Sequence, residues 1–168
     1  MMQTTAVNER LESLTPGQII EKYKKEAPVD VVALAYDLGL NVWSSLLPES
    51  VSGKIFRDSL NGGKSGFSIV VNAKHAPTRQ RFTVAHEIAH FLLHRDVLES
   101  GELVENSLYR DGLGGIKESA ANRFAADLLM PQPLVRKLIA SGIRQPEMLA
   151  NRLMVSPAAM KIRLGFSV

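Results

Sequence analysis

The residues best equipped for chemistry are two histidines four apart with a glutamate directly after the first: His86-Glu87-Ile88-Ala89-His90. On an α-helix His86 and His90 sit one turn apart and face the same way, so both imidazoles can reach a single metal ion. Glu87 is rotated by about 100° around the axis. It misses the metal yet can touch a water beside it, which is the arrangement a zinc hydrolase needs. A shuffled chain of this composition would hold about 0.006 such motifs, so composition does not explain the match. The competing reading is a helix whose histidines only hydrogen-bond within a core, and context must separate the two.

The surrounding elements favour a helix. Phe82, Ala85, Ile88, Ala89, Leu92 and Leu93 form an apolar stripe, and Pro77 suits a first helical position. One helix supplies only two ligands, whereas a catalytic zinc takes three and leaves a position open for water. The next strongly periodic segment, residues 116–130, is alanine-rich and can approach the first helix closely. Glu118 and Asn122 share one of its faces, and Glu118 is the natural third ligand, with Asp111 and Asp127 as rivals. His94 lies eight residues after His86, about 80° further round the helix. That suits packing or support of a ligand better than simultaneous ligation.

At 168 residues, with 45% apolar and 22% charged side chains, the chain reads as one soluble domain with a real core. It has no cysteine, so zinc must be held by His and carboxylate, and a cytoplasmic location fits. Residues 1–15 form a polar lead-in without the apolar centre of a signal peptide, and no run approaches a membrane span. The net charge of +3 is interleaved and marks a solvated surface, not a nucleic-acid stripe.

In order, the chain predicts packing helices over 16–27 and from Asp30 to Gly39, then a short strand and loop over 40–47, closed by Pro48. A hairpin follows, with strands 53–58 and 67–72 around the turn-rich stretch from Asn61 to Gly66. Gly62-Gly63-Lys64-Ser65 is not a phosphate loop, because the required earlier glycine is Asp58 and no long helix follows. A sheet edge beside the histidine helix could pair with an extended peptide. Residues 95–115 have weak apolar spacing and read as a mobile connection, either a gate over the site or a plain surface loop. Tyr109, His75 and Arg110 are alternative oxyanion donors. Residues 145–168 read as a helical pair, opened by Pro146 and by Ser156-Pro157. Only Lys161 and Arg163 are basic in its second helix, so packing on the core is preferred to DNA binding.

The segments Arg81-Phe82-Thr83-Val84-Ala85-His86-Glu87-Ile88-Ala89-His90 and Glu118-Ser119-Ala120-Ala121-Asn122-Arg123-Phe124-Ala125-Ala126-Asp127-Leu128-Leu129-Met130-Pro131 together resemble the ImmA/IrrE group of zinc metallopeptidases. Pro28-Val29-Asp30, Leu38-Gly39-Leu40, the Gly53 hairpin, Val155-Ser156 and Arg163-Leu164 extend the likeness over roughly residues 16–164. The resemblance implies a zincin-like α+β fold, a small antiparallel or mixed sheet packed on the active-site helix. It implies His86, His90 and Glu118 as zinc ligands and Glu87 as catalytic acid/base. It also implies an endopeptidase whose substrate is a helix-turn-helix repressor of a mobile element or stress regulon, and the 168-residue length favours the stand-alone form over relatives with an added DNA-binding or sensor domain. The alternatives are a DNA-binding regulator with structural zinc and a non-cleaving antitoxin or antirepressor that keeps the metal. An intact Glu87 favours catalysis, since structural zinc has no use for a base.

Overall fold

The computed structural model describes residues 14–100 and 114–166. Its frame is a three-stranded sheet in the order β1-β3-β2, with β1 Leu40–Ser45, β2 Gly53–Arg57 and β3 Phe67–Asn72. The central strand, Phe67-Ser68-Ile69-Val70-Val71-Asn72, is buried at every residue, as expected of a strand covered on both faces. The expected hairpin is present: β2 runs antiparallel to β3, with Ile55 opposite Ile69. β1 pairs with β3 in parallel, Val42 opposite Ile69, so the sheet is mixed.

Helices surround this sheet: α1 Pro16–Tyr23, α2 Val31–Asp37, α3 Pro77–Leu93, α4 Arg95–Ser100, α5 Gly114–Leu129, α6 Gln132–Ala140, α7 Pro146–Leu153 and α8 Pro157–Arg163. Their ends follow local chemistry. Thr15 and Gln18 close a capping box on α1, Asp30 caps α2 through the Ala33 amide, and Ser156 caps α8 through the Ala159 amide. Gly39 takes the left-handed conformation (φ 87°) that ends α2 and turns the chain into β1.

Three expectations change. α1 stops at Tyr23 instead of reaching Ala27, the residue before Pro28, where the proline ring disfavours helix. The segment 95–115 is not all connection. α4 forms at its start, pinned by buried Leu98 and the Arg95–Glu99 ion pair at 2.9 Å, and glycines 114 and 115 already belong to α5. Helix α6 lies where no element was assigned, although Pro133 and the spacing of Leu134, Val135, Leu138 and Ile139 signal one.

The core runs through α2, the sheet, α3, α5, α7 and α8. Leu34, Leu40, Ile69, Ile88, Leu128, Leu149, Leu153 and Met160 are among its fully buried members. The side chains of α7 and α8 therefore contribute to the same cluster as the histidine helix. Arg81 of α3 ties them further, donating to the carbonyls of Val29, Leu153 and Met154. No helix among the described residues is long and apolar enough to cross a membrane.

Candidate metal centre

α3 and α5 pack along each other, and four of their alanines, Ala85, Ala89, Ala121 and Ala125, are fully buried. Small side chains at a helix contact allow a short interaxial distance. Three side chains converge across this contact. Nε2 of His86 and Nε2 of His90 are 3.0 Å apart. Glu118 of α5 brings Oε2 to 3.3 Å from the first and Oε1 to 3.1 Å from the second. Zinc–nitrogen and zinc–oxygen bonds of about 2.1 Å in a tetrahedron place ligand atoms about 3.4 Å apart. The observed edges lie close to that, so the donor set fits a small divalent cation.

The outer nitrogens are also engaged. Nδ1 of His86 is 3.0 Å from Oδ1 of Asn122. Because an amide oxygen only accepts, that nitrogen carries the proton, and the Nε2 lone pair is left facing the shared point. Nδ1 of His90 is 3.1 Å from Nδ1 of buried His94. His94 thus stands behind His90 and does not join the convergence. Burial lowers the His94 pKa, and the neighbouring His90 adds to this.

Charge at the centre is strongly coupled. Hydrogen bonds to His86 and then to His90 hold the Glu118 carboxyl far below the ordinary glutamate range. Burial pulls the His86 imidazole down, but the hydrogen bond to Glu118 and the charge of Glu87 outweigh it and leave the pKa raised. Glu87 is buried beside the two histidines. Desolvation raises its pKa, against the opposing pull of His86, His90 and the Ile55 backbone amide that hydrogen-bonds to it.

These groups open into a groove of about 490 Å³, bordered by Ser52, Gly53, Thr83, Glu87, Glu118 and Asn122. The structure therefore brings together His86, His90, Glu118 and Glu87. The rivals do not join them. Asp127 pairs with Arg163 at 2.6 Å, and His75 is buried with Nε2 3.2 Å from the Glu49 carbonyl oxygen, away from the groove lining. Tyr109, Arg110 and Asp111 lie outside the described residues.

The family model of the IrrE N-terminal-like domain, a peptidase family, matches residues 37–165, a span holding every one of these groups. The chain belongs to the IrrE N-terminal-like family. Two curated relatives align over shorter stretches. The radiation response metalloprotease IrrE of Deinococcus radiodurans is 38% identical over 72 residues, and that of Deinococcus deserti is 41% identical over 71. Each alignment covers 42% of this chain but only 21% and 25% of those proteins. A solved Mycobacterium tuberculosis transcriptional regulator shares the fold with a TM-score of 0.59 at 16% identity, over 94% of this chain and 49% of that one. For this IrrE-like domain the family implies a metal ion, and the mixed three-stranded sheet under a histidine-bearing helix is zincin-like.

From the sequence, Asn122 is placed on the Glu118 face without a role, and the contact of Arg79 is missed altogether. Asn122 is recognisable only once Glu118 is taken as a ligand, because it sits one helical turn beyond it on the same face. Arg79 donates to Ser52 Oγ at 2.9 and 3.3 Å, joining α3 to the residue before β2, and no local pattern announces such a contact.

Proposed function

We propose that this domain is a zinc-dependent endopeptidase in which His86, His90 and Glu118 hold the metal and Glu87 is the catalytic acid/base. The observation that carries the reading is the convergence of two imidazole nitrogens and a carboxylate within 3.3 Å of one another beside a buried glutamate. Facing lone pairs at that distance repel unless a proton or a metal ion lies among them, and the near-tetrahedral spacing of the donors suits the metal ion. When bound, zinc supplies Lewis acidity, polarising a scissile carbonyl and making nearby water a better nucleophile.

The chain's own residues do the rest. Asn122 fixes the tautomer of His86, and His94 backs His90, so both imidazoles keep their orientation. Glu87, kept from bulk water, takes a proton from the attacking water as its oxygen adds to the peptide carbonyl. It then returns that proton to the leaving nitrogen as the C–N bond breaks. β2 is an outer strand of the sheet, and Gly53 and Ser52 at its start border the groove, so an extended peptide can pair with it across the site.

For the substrate, the resemblance to the ImmA/IrrE group supports a helix-turn-helix repressor, and the word metalloprotease in the relatives' names supports cleavage over simple binding. The test is incubation of the zinc-loaded protein with helix-turn-helix repressors encoded beside it, read by mass spectrometry of the fragments. Cleavage by the wild type, lost in a zinc-binding Glu87→Gln variant, is expected. A stable complex with no cut in either protein would overturn the endopeptidase reading in favour of a non-cleaving antirepressor.

A further inference from the structure

A second, apolar cavity of about 260 Å³ adjoins the groove, walled by Thr78 and Phe82 of α3, Leu129 of α5, Met130, Val155 and Ala159 of α8. Phe82 and Arg79 belong to both linings, so the two spaces share a wall. Leu129, Met130 and Val155 are otherwise core residues, at most 6% exposed. The cavity is thus a concave opening onto the core, and none of its lining residues is acidic.

We propose that this cavity is a subsite of the cleavage groove, taking one apolar side chain of the substrate from the C-terminal side of the cut. The proposal rests on the endopeptidase reading.

Distance comes first. Phe82 is one helical turn before His86, about 6 Å along the axis, and their ring centroids are 6.2 Å apart. An extended peptide covers such a gap in about two residues. A side chain close to the scissile bond therefore reaches the cavity while the backbone stays in the groove.

Direction follows from β2. Gly53 lies against Thr83, and the Ile55 amide bonds to Glu87, so β2 and α3 advance in the same sense. A peptide added antiparallel to β2 consequently runs its C-terminal half toward Thr83 and Phe82, the end at which the cavity opens.

Arg79 supplies polar recognition at the junction. It gives N–H groups to Ser52 Oγ and has others left for a peptide carbonyl, and among the described residues no carboxylate pairs with it. The class of substrate is then a peptide with a leucine-, methionine- or phenylalanine-like side chain within three residues after the cut.

Two measurements test this together. The zinc-loaded wild type, Ala159→Phe and Thr78→Phe are each profiled on a proteome-derived peptide library, with thermal unfolding to confirm that the variants fold. Separately, methyl NMR follows Leu129, Met130, Val155 and Ala159 during titration with N-acetyl-leucine methylamide, with N-acetyl-glycine methylamide as control. Apolar enrichment at one position after the cut is expected. In either variant, kcat/KM for apolar peptides should fall at least about tenfold, with glycine-bearing peptides unaffected. The leucine probe should shift those methyls in the wild type and not in the variants. Cleavage that is indifferent to residues after the cut, with unmoved methyls, would overturn the subsite and leave the peptidase standing. Shifted methyls without cleavage of any peptide would instead sink the peptidase reading and keep the apolar binding site.

Discussion

Oδ1 of Asn122 lies 3.0 Å from Nδ1 of His86, one turn along α5 from Glu118, whose carboxylate approaches Nε2 of the same ring. One helix thus supplies a candidate ligand and also the group that orients another. Truncating such an orienting partner typically costs 10- to 100-fold in metal affinity or activity. Asn122→Ala should weaken zinc binding by about that factor, measured by competition with a chromogenic chelator, while Asn122→Asp should largely retain it. Since Asn122 is exposed, thermal stability of the metal-free protein should hardly change. Unaltered zinc affinity in the alanine variant would show that the contact does not tune the site.

Protons and metal compete for the same atoms, which sets opposite pH trends with and without zinc. In the metal-free protein the His86 pKa is raised above 6.5, so its stabilising contribution is complete below that value and is lost as pH rises through the folded-state pKa. Glu118 is depressed below 4.5, so its contribution is present above that value and lost only in strong acid. Zinc held as proposed by His86 and Glu118 would need both groups deprotonated. The gap in Tm between zinc-loaded and metal-free protein should therefore widen steadily from pH 5.5 to pH 8. A gap of constant size would mean that His86 is not a ligand.

The centre was legible in the sequence because helical geometry is local: residues four apart on one helix must share a face, and that places His86 with His90 and Glu118 with Asn122. The hairpin was legible too, since two short runs rich in β-branched and aromatic residues flank a glycine-rich turn. What escaped depends on side chains far apart in the chain. Arg81 reaches carbonyls more than 50 positions before it and more than 70 after it, and nothing in its neighbours predicts those partners. The parallel pairing of β1 was open because only the crossover connection decides it. Helix α4 was missed since its support is one buried leucine and one ion pair, too little to register as a period.

Gly53 tests how closely β2 must approach the histidine helix. A Cβ there would meet the Val70 carbonyl oxygen at 2.5 Å and Thr83 Cγ2 at 2.6 Å, and the first of these belongs to the backbone and cannot swing away. Gly53→Ala should destabilise the fold by about 1–3 kcal/mol, the usual cost of forced overpacking, read by urea denaturation. A Gly53→Ala, Thr83→Ser double variant should recover part of that loss by removing Cγ2. An alanine variant as stable as the wild type would mean that β2 and α3 are not in such close contact.

On the proposed mechanism, burial also sets the working range of Glu87. Desolvation raises its pKa above the ordinary 4.5, and the opposing effects of His86, His90 and the Ile55 amide do not cancel the rise. A general base must be ionised to accept a proton, so activity should fall as pH drops through that raised value. The acid limb of kcat/KM on a cleaved peptide is expected above pH 4.5, at zinc concentrations high enough to keep the metal bound throughout. Glu87→Asp should keep an acid limb but withdraw the carboxylate by about one bond length, and a misplacement of about 1 Å can cost 100-fold in rate. Glu87→Gln cannot ionise, so whatever residual rate it shows should lack that limb. If its residual rate instead falls over the same pH range as the wild type, the titrating group is another one and Glu87 loses its assignment as the base.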